Sequence, residues 1–226
     1  MPSFQLISAY VCPFVQRSAI TLNIKGVAYE TRYVDLADKP AWFLELSPTG
    51  KVPVLIVTDK GREIVLFESA VINEYLDEIT EGSLLPDDPL IRARHRAMIE
   101  LASACIGDSY RMGVAATEED SRSAAATLRA KLERFETELV GPLFCGSELS
   151  LVDTAAIPML QRSAWTNEIR PTLDVFAGFP RVQAWLAAAE AIEAVRDSTV
   201  ADIRERYRDF LAKREDSWVG AALRTR

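Results

Sequence analysis

The segment Val11-Cys12-Pro13-Phe14-Val15-Gln16-Arg17 constrains this chain more than any other, because it joins an apolar run at 4–10 to an amphipathic one at 18–25. The first reads as a strand. The second reads as a helix over 14–25 ended by Gly26, with Ile20, Leu22 and Ile24 supplying its apolar surface. A further strand is expected over 29–34, which makes a βαβ unit whose crossover requires two parallel strands. Cys12 then stands at the carboxyl end of its strand, just before a helix that begins with proline. Unpaired N–H groups and the positive end of the helix dipole converge there and favour thiolate over thiol, so the position suits a nucleophile better than a buried structural cysteine. Val15 occupies the place where a Cys-x-x-Cys motif carries its second sulfur, so an oxidised Cys12 needs its partner thiol from elsewhere.

Downstream, residues 36–47 carry Trp42, Phe43, Leu44 and Leu46 and read as a short helix or compact loop. Ser47-Pro48-Thr49-Gly50-Lys51-Val52-Pro53 then reads as a turn leading into a strand over 52–57. Proline cannot donate a ladder bond, so Pro53 fits the start of a strand. A cis bond there would leave the Val52 N–H and C=O free for an extended peptide, and a trans edge proline is the alternative. Asp59-Lys60-Gly61-Arg62 is a hairpin turn between 54–57 and 63–67. Glu68-Ser69 precedes a helix over 70–79 with Val71, Ile72, Tyr75, Leu76 and Ile79 at helical spacing. Ser69 with the N–H groups of this helix start could hold a carboxylate. Its plainer role is an N-cap, with Glu68 a solvated charge.

The proline- and glycine-bearing stretch 81–90 divides the chain into an N-terminal domain, 1–80, and an all-helical domain, 91–226. Helices are expected over 90–112, around Leu128, Leu132, Phe135 and Leu139, after the capping box Ser150-Leu151-Val152-Asp153, and over 180–195 and 200–213. The single histidine, His95, sits among Arg92, Arg94 and Arg96 and is expected on the surface. Twenty-six basic against thirty-three acidic side chains, a net charge of −7, argue against nucleic-acid partners. No apolar run approaches the ~20 residues of a membrane span, so no membrane partner and a cytoplasmic location are expected. Three widely spaced cysteines, Cys12, Cys105 and Cys145, resemble neither a disulfide framework nor metal ligands, and no metal is expected.

The order of these parts resembles a cytosolic glutathione transferase over nearly the whole chain. Cys12-Pro13-Phe14-x-Gln16-Arg17, Lys39-Pro40-x-Trp42-Phe43, Val52-Pro53-Val54-Leu55 and Glu68-Ser69-Ala70 followed by Glu74-Tyr75-Leu76 are similar to the omega class. The resemblance implies an α/β thioredoxin-like domain that binds glutathione, followed by an all-α bundle that closes a second-substrate site, in a homodimer. It implies Cys12 as the catalytic nucleophile and a cis Pro53. Val52 would pair with the backbone of the glutathione cysteinyl residue, Glu68 and Ser69 would hold the γ-glutamyl end, Lys39 would reach the glycyl carboxylate, and Phe14 would line the pocket. Ser109, Tyr110, Arg111 and Trp185 are the expected second-substrate residues. The implied activity is glutathione-dependent thiol transfer or reduction of a small disulfide or electrophilic substrate. Conjugation of glutathione to an aromatic electrophile, or its removal, is the alternative, and a non-catalytic binding protein is a third reading.

Overall fold

The computed structural model describes residues 2–224. The described residues form two compact units, residues 2–84 with 193–201, and residues 85–192 with 202–224.

In the first unit, β1 (Ser3–Ser8) leads into α1 (Pro13–Ile24) and then β2 (Glu30–Tyr33), which pairs parallel to β1 with Ser8 opposite Tyr33. This is the expected βαβ crossover. Gly26, at φ +62°, takes the left-handed conformation that ends α1. A short α2 (Ala41–Leu46) follows. Next come β3 (Val54–Asp59), antiparallel to β1, and β4 (Arg62–Phe67), joined to β3 by a two-residue turn, giving the sheet order β2-β1-β3-β4. Central positions lose both faces to the core: Leu6, Ile7, Val54 and Leu55 are almost fully buried. β2, at the edge, is exposed throughout. α3 (Ser69–Glu78) lays Ile72 and Leu76 into the same core as Phe43 and Leu22.

Residues 193–201, expected in the helical domain, cluster with the first unit. Gln16, itself buried, donates from Nε2 to Ser198 Oγ at 3.0 Å, and Asn23 Nδ2 donates to the Ala194 carbonyl at 3.0 Å. These bonds lie against α1, so the segment is held where a buried and a half-buried amide of that helix need acceptors.

The second unit is helical: α4 (Pro89–Val114), α5 (Glu118–Glu138), α6 (Leu151–Ile169), a 3₁₀ turn at Pro171–Leu173, and α7 (Pro180–Glu190). After α8 (Glu193–Arg196), which belongs to the first unit, come α9 (Ile203–Ala212) and α10 (Trp218–Arg224). α6 is buried along most of its length and starts with the expected capping box, Ser150 and Asp153 bonding reciprocally. Asp153 does more than cap, because its carboxylate also accepts from the Phe144 N–H at 2.9 Å and from Trp185 Nε1 at 2.6 Å. Burial pushes the Asp153 carboxyl up, while the hydrogen bonds from Ser150, Phe144 and Trp185 pull it back toward the charged form. The expected helix over 180–195 is divided between α7 and α8, and α10 was not anticipated. His95 is not a surface residue: only 8% exposed, it stands edge-on to Phe144, with ring centroids 5.6 Å apart.

Candidate functional site

Cys12 occupies the N-cap of α1 with extended backbone, φ −73° and ψ 117°, and Pro13 supplies the first helical residue. The cysteine is half-buried. Its N–H bonds back to Ala9 at 3.1 Å and its C=O receives the Gln16 N–H at 3.3 Å, so the start of the helix is fixed around the sulfur. Sγ lies 3.9 Å from the Val52 carbonyl oxygen, which brings together residues forty positions apart. The Val52–Pro53 bond is cis.

A cleft beside this contact is lined by Phe14, Thr49, Lys51, Val52, Pro53, Phe67, Glu68 and Ser69. Five of these were expected from the sequence. Ser47 shapes one wall: its buried hydroxyl donates to the Lys51 carbonyl at 2.8 Å and accepts the Lys51 N–H at 2.9 Å, closing the turn that carries Thr49 and Lys51. Gly50, at φ +60°, sits in that turn, and a Cβ built on it would meet Lys39 Nζ at 3.5 Å. Lys39 therefore lies against the Thr49–Lys51 turn, although it does not line the cleft itself.

The opposite wall is the β4-to-α3 junction. Glu68 has φ +70° and ψ 114°, a conformation that costs a non-glycine residue about 1–3 kcal/mol, and its C=O receives the Ile72 N–H at 2.9 Å. The kink puts an exposed carboxylate and the buried Ser69 side by side at the first turn of α3. Chemically, the cleft offers the Val52 backbone, a carboxylate and hydroxyl at one end, and lysine ammonium groups on or next to one wall, while the thiol at the helix N-terminus stands beside it against the Val52 carbonyl. That combination suits an extended, zwitterionic peptide with a sulfur near its middle.

Thr49, Lys51 and Phe67 were missed. Lys51 had a usable signal, since it directly precedes Val52-Pro53 in a turn already marked by Pro48 and Gly50. The expected second-substrate residues divide. Tyr110 is 48% exposed with its ring against Phe210, and Arg111 is exposed and paired with Asp108. Ser109 and Trp185 are corrections. Ser109 is buried and accepts from Ser163 Oγ at 2.9 Å, and Trp185 is fully enclosed, bonded to Asp153 and stacked among Phe135 and Phe144. Val182, Trp185, Leu186 and Ala189 are the buried face of one helix, a spacing that already marked Trp185 as core. Among the described residues no helix is long and apolar enough to cross a membrane.

A four-stranded mixed sheet with a cysteine at its first helix start, followed by a helical unit, is the architecture of glutathione transferases. The glutathione S-transferase N-terminal domain family matches residues 11–79, and the C-terminal domain family matches residues 91–188. The chain belongs to the glutathione S-transferase family. It is 32% identical over 212 residues to glutathione S-transferase omega-1 of Sus scrofa, covering 92% of this chain and 83% of that one. The structure of glutathione transferase Omega 3C from Trametes versicolor superposes with a TM-score of 0.75 at 29% identity, covering 87% of this chain and 89% of that one. Maleylacetoacetate isomerase from Anaeromyxobacter dehalogenans, solved with glutathione in its active site, superposes with a TM-score of 0.70 at 25% identity, covering 88% and 95%. Within the family the chain is an omega-like glutathione transferase.

Proposed function

We propose that this enzyme is a glutathione-dependent thiol transferase in which Cys12 forms a mixed disulfide with glutathione. The observation that carries the reading is the position of Cys12 Sγ, 3.9 Å from the Val52 carbonyl and at the start of α1, beside a cleft closed by Glu68 and Ser69. The Cys12 thiolate attacks the glutathione sulfur of a glutathionylated substrate; that S–S bond breaks, the substrate leaves as thiolate, and Cys12 carries the glutathionyl group. A second glutathione thiolate then attacks the glutathione sulfur of the adduct, releasing glutathione disulfide and restoring the Cys12 thiolate.

In this reading Val52 aligns the cysteinyl backbone of glutathione, Glu68 and Ser69 hold the γ-glutamyl end, Phe14 covers the thiol region, and Lys39 meets the glycyl carboxylate. Lys51, which shares the wall of the cleft, adds a second positive group at that end. A homodimer in the cytoplasm acting on small disulfides belongs to the same proposal, with Tyr110 and Arg111 as the second-substrate residues.

The test compares wild type, Cys12→Ala and Cys12→Ser for reduction of a glutathionylated substrate and for conjugation of an aryl halide. Thiol transfer requires the sulfur, so both variants should lose reduction while still binding glutathione. Conjugation requires only a stabilised glutathione thiolate, which a hydroxyl can supply, so Cys12→Ser should keep or gain it. A wild type that conjugates, reduces nothing and tolerates Cys12→Ala would overturn the reading.

A further inference from the structure

Besides the active-site thiol, the described part of the chain has a buried cysteine, Cys105, and an exposed one, Cys145. Cys145 stands at the tip of a tight turn in which Leu143 and Gly146 exchange backbone hydrogen bonds, N–H of Leu143 to O of Gly146 at 2.9 Å and the reverse at 3.3 Å. The turn is pinned from below, because the Phe144 N–H donates to Asp153 at 2.9 Å. From α4, His95 presents Nε2 to the sulfur at 3.4 Å. His95 is only 8% exposed, its Nδ1 has no hydrogen-bond partner, and the cysteine it meets is an exposed residue. A partly sheltered thiol on an exposed residue with a buried imidazole beside it is a nucleophile with an adjacent base.

We propose that Cys145 and His95 form a second thiol site, separate from Cys12, at which Cys145 takes up a glutathionyl group from glutathione disulfide with His95 Nε2 as the proton acceptor. The Sγ proton passes to Nε2, the sulfur attacks one sulfur of glutathione disulfide, that S–S bond breaks, and the departing glutathione thiolate takes the proton from His95. Cys145 is oxidised to a mixed disulfide and one glutathione is reduced, so electrons and protons balance. Glutathione disulfide is the oxidised product of the cycle proposed for Cys12, and the choice of co-reactant rests on that reading.

The surroundings distinguish this thiol from the first. Burial pushes the Cys145 thiol up, and the Asp153 carboxylate adds to this, against a hydrogen bond from Ser150. Burial also holds the His95 imidazole below its usual value, against the carboxylates of Asp153 and Glu138 and with the Arg94 guanidinium acting the same way. Both shifts favour the neutral pair, a protonated thiol facing an unprotonated imidazole. Activation comes from proton transfer during attack, whereas Cys12 relies on a helix N-terminus. The adduct separates Cys145 from His95 and loads a charged tripeptide onto the turn held by Asp153, at the start of α6.

The full chain is incubated with glutathione disulfide near neutral pH, and modified cysteines are mapped and timed by peptide mass spectrometry. Cys145 should be modified in wild type and released by reduced glutathione, while Cys105 stays free. His95→Gln, and His95→Asn as the second variant, should slow modification of Cys145 about tenfold or more and leave the rate at Cys12 unchanged. Circular dichroism establishes which variants are folded. Modification of Cys12 with Cys145 untouched overturns the proposal on wild type alone, as does an equal rate at Cys145 in a folded His95 variant. Modification of Cys145 with Cys12 untouched supports the second site and contradicts the thiol-transfer cycle, so the two failures are distinguishable.

Discussion

At the scale of single residues, the site depends on a costly backbone. Glu68 holds φ +70° in order to turn its carboxylate and Ser69 toward the cleft. Glu68→Ala and Ser69→Ala should each weaken glutathione binding by about 1–3 kcal/mol, the scale of a hydrogen bond to a charged group, with the fold retained. Glu68→Gly should lose binding equally but melt higher than Glu68→Ala, because glycine adopts positive φ without a clash. Calorimetric titration and thermal melts read the two effects separately, and unchanged affinity in both alanine variants would contradict the assignment of the γ-glutamyl end. His95 gives a pH signature. Its imidazole is held below the usual 6.5 by burial, so the unfolded chain takes up the proton before the folded one does. Stability from His95 is fully present above pH 6.5 and is lost as pH falls through the depressed folded value. Wild type should accordingly lose more melting temperature than His95→Gln between pH 7.5 and about 5.5; parallel losses would refute this. Neither His95 nor Trp185 was placed correctly from the sequence: arginine neighbours pointed His95 outward, and what turns it inward is the aromatic cluster of Phe144, Phe135 and Trp185, assembled from the end of α5, the turn after it and α7.

At the scale of elements, two polar clamps hold helix ends. Lys25 at the end of α1, its side chain 3% exposed, pairs with Asp77 of α3 at 2.8 Å and donates to the Glu81 and Gly82 carbonyls, while Asp77 accepts from Ser83 and from the Leu84 N–H. Lys25→Met leaves that carboxylate buried without its cation and should cost about 3–5 kcal/mol in urea unfolding; a cost below about 1 kcal/mol would mean that the pair is solvated. In α6, Ser150→Ala removes one cap and should cost about 0.5–2 kcal/mol. Asp153→Ala strands donors from Phe144, Ser150 and Trp185 and should cost several times more, at about 1–3 kcal/mol for each buried orphan. The capping box, the βαβ unit and the hairpin were legible because their signals are local: a proline, a glycine, a serine three residues before an aspartate. The division between α7 and α8 was not, since residues 188–194 contain neither glycine nor proline and the chain turns there through tight bonds from Ala191 and Ile192 to the carbonyls three residues back. Lys51 and Thr49 escaped notice because the hydroxyl of Ser47 shapes their turn, a side-chain-to-backbone closure that periodicity does not display.

At the scale of the whole molecule, the N-terminal unit contains more than its own stretch of sequence. Residues 193–201 return to it through Ser198 and the Ala194 carbonyl, which meet Gln16 and Asn23 on the helix that begins at Cys12. That return is not legible in the chain, because hydrogen bonds across 182 and 171 positions leave no local pattern. The outline of a thioredoxin-like unit followed by helices was legible, because ordered motifs from Cys12 to Ser69 occur in the spacing that the fold requires. In the proposed reading, what the architecture accomplishes rests on one covalent step at Cys12. The direct measurement mixes stoichiometric enzyme with a glutathionylated peptide, without free glutathione, and follows both the released peptide thiol and the mass of the enzyme. The thiol-transfer account predicts about one peptide thiol released per enzyme and one glutathionyl group mapped to Cys12, discharged when glutathione is added. Peptide thiol released with Cys12 unmodified, or no release before glutathione is added, would contradict it.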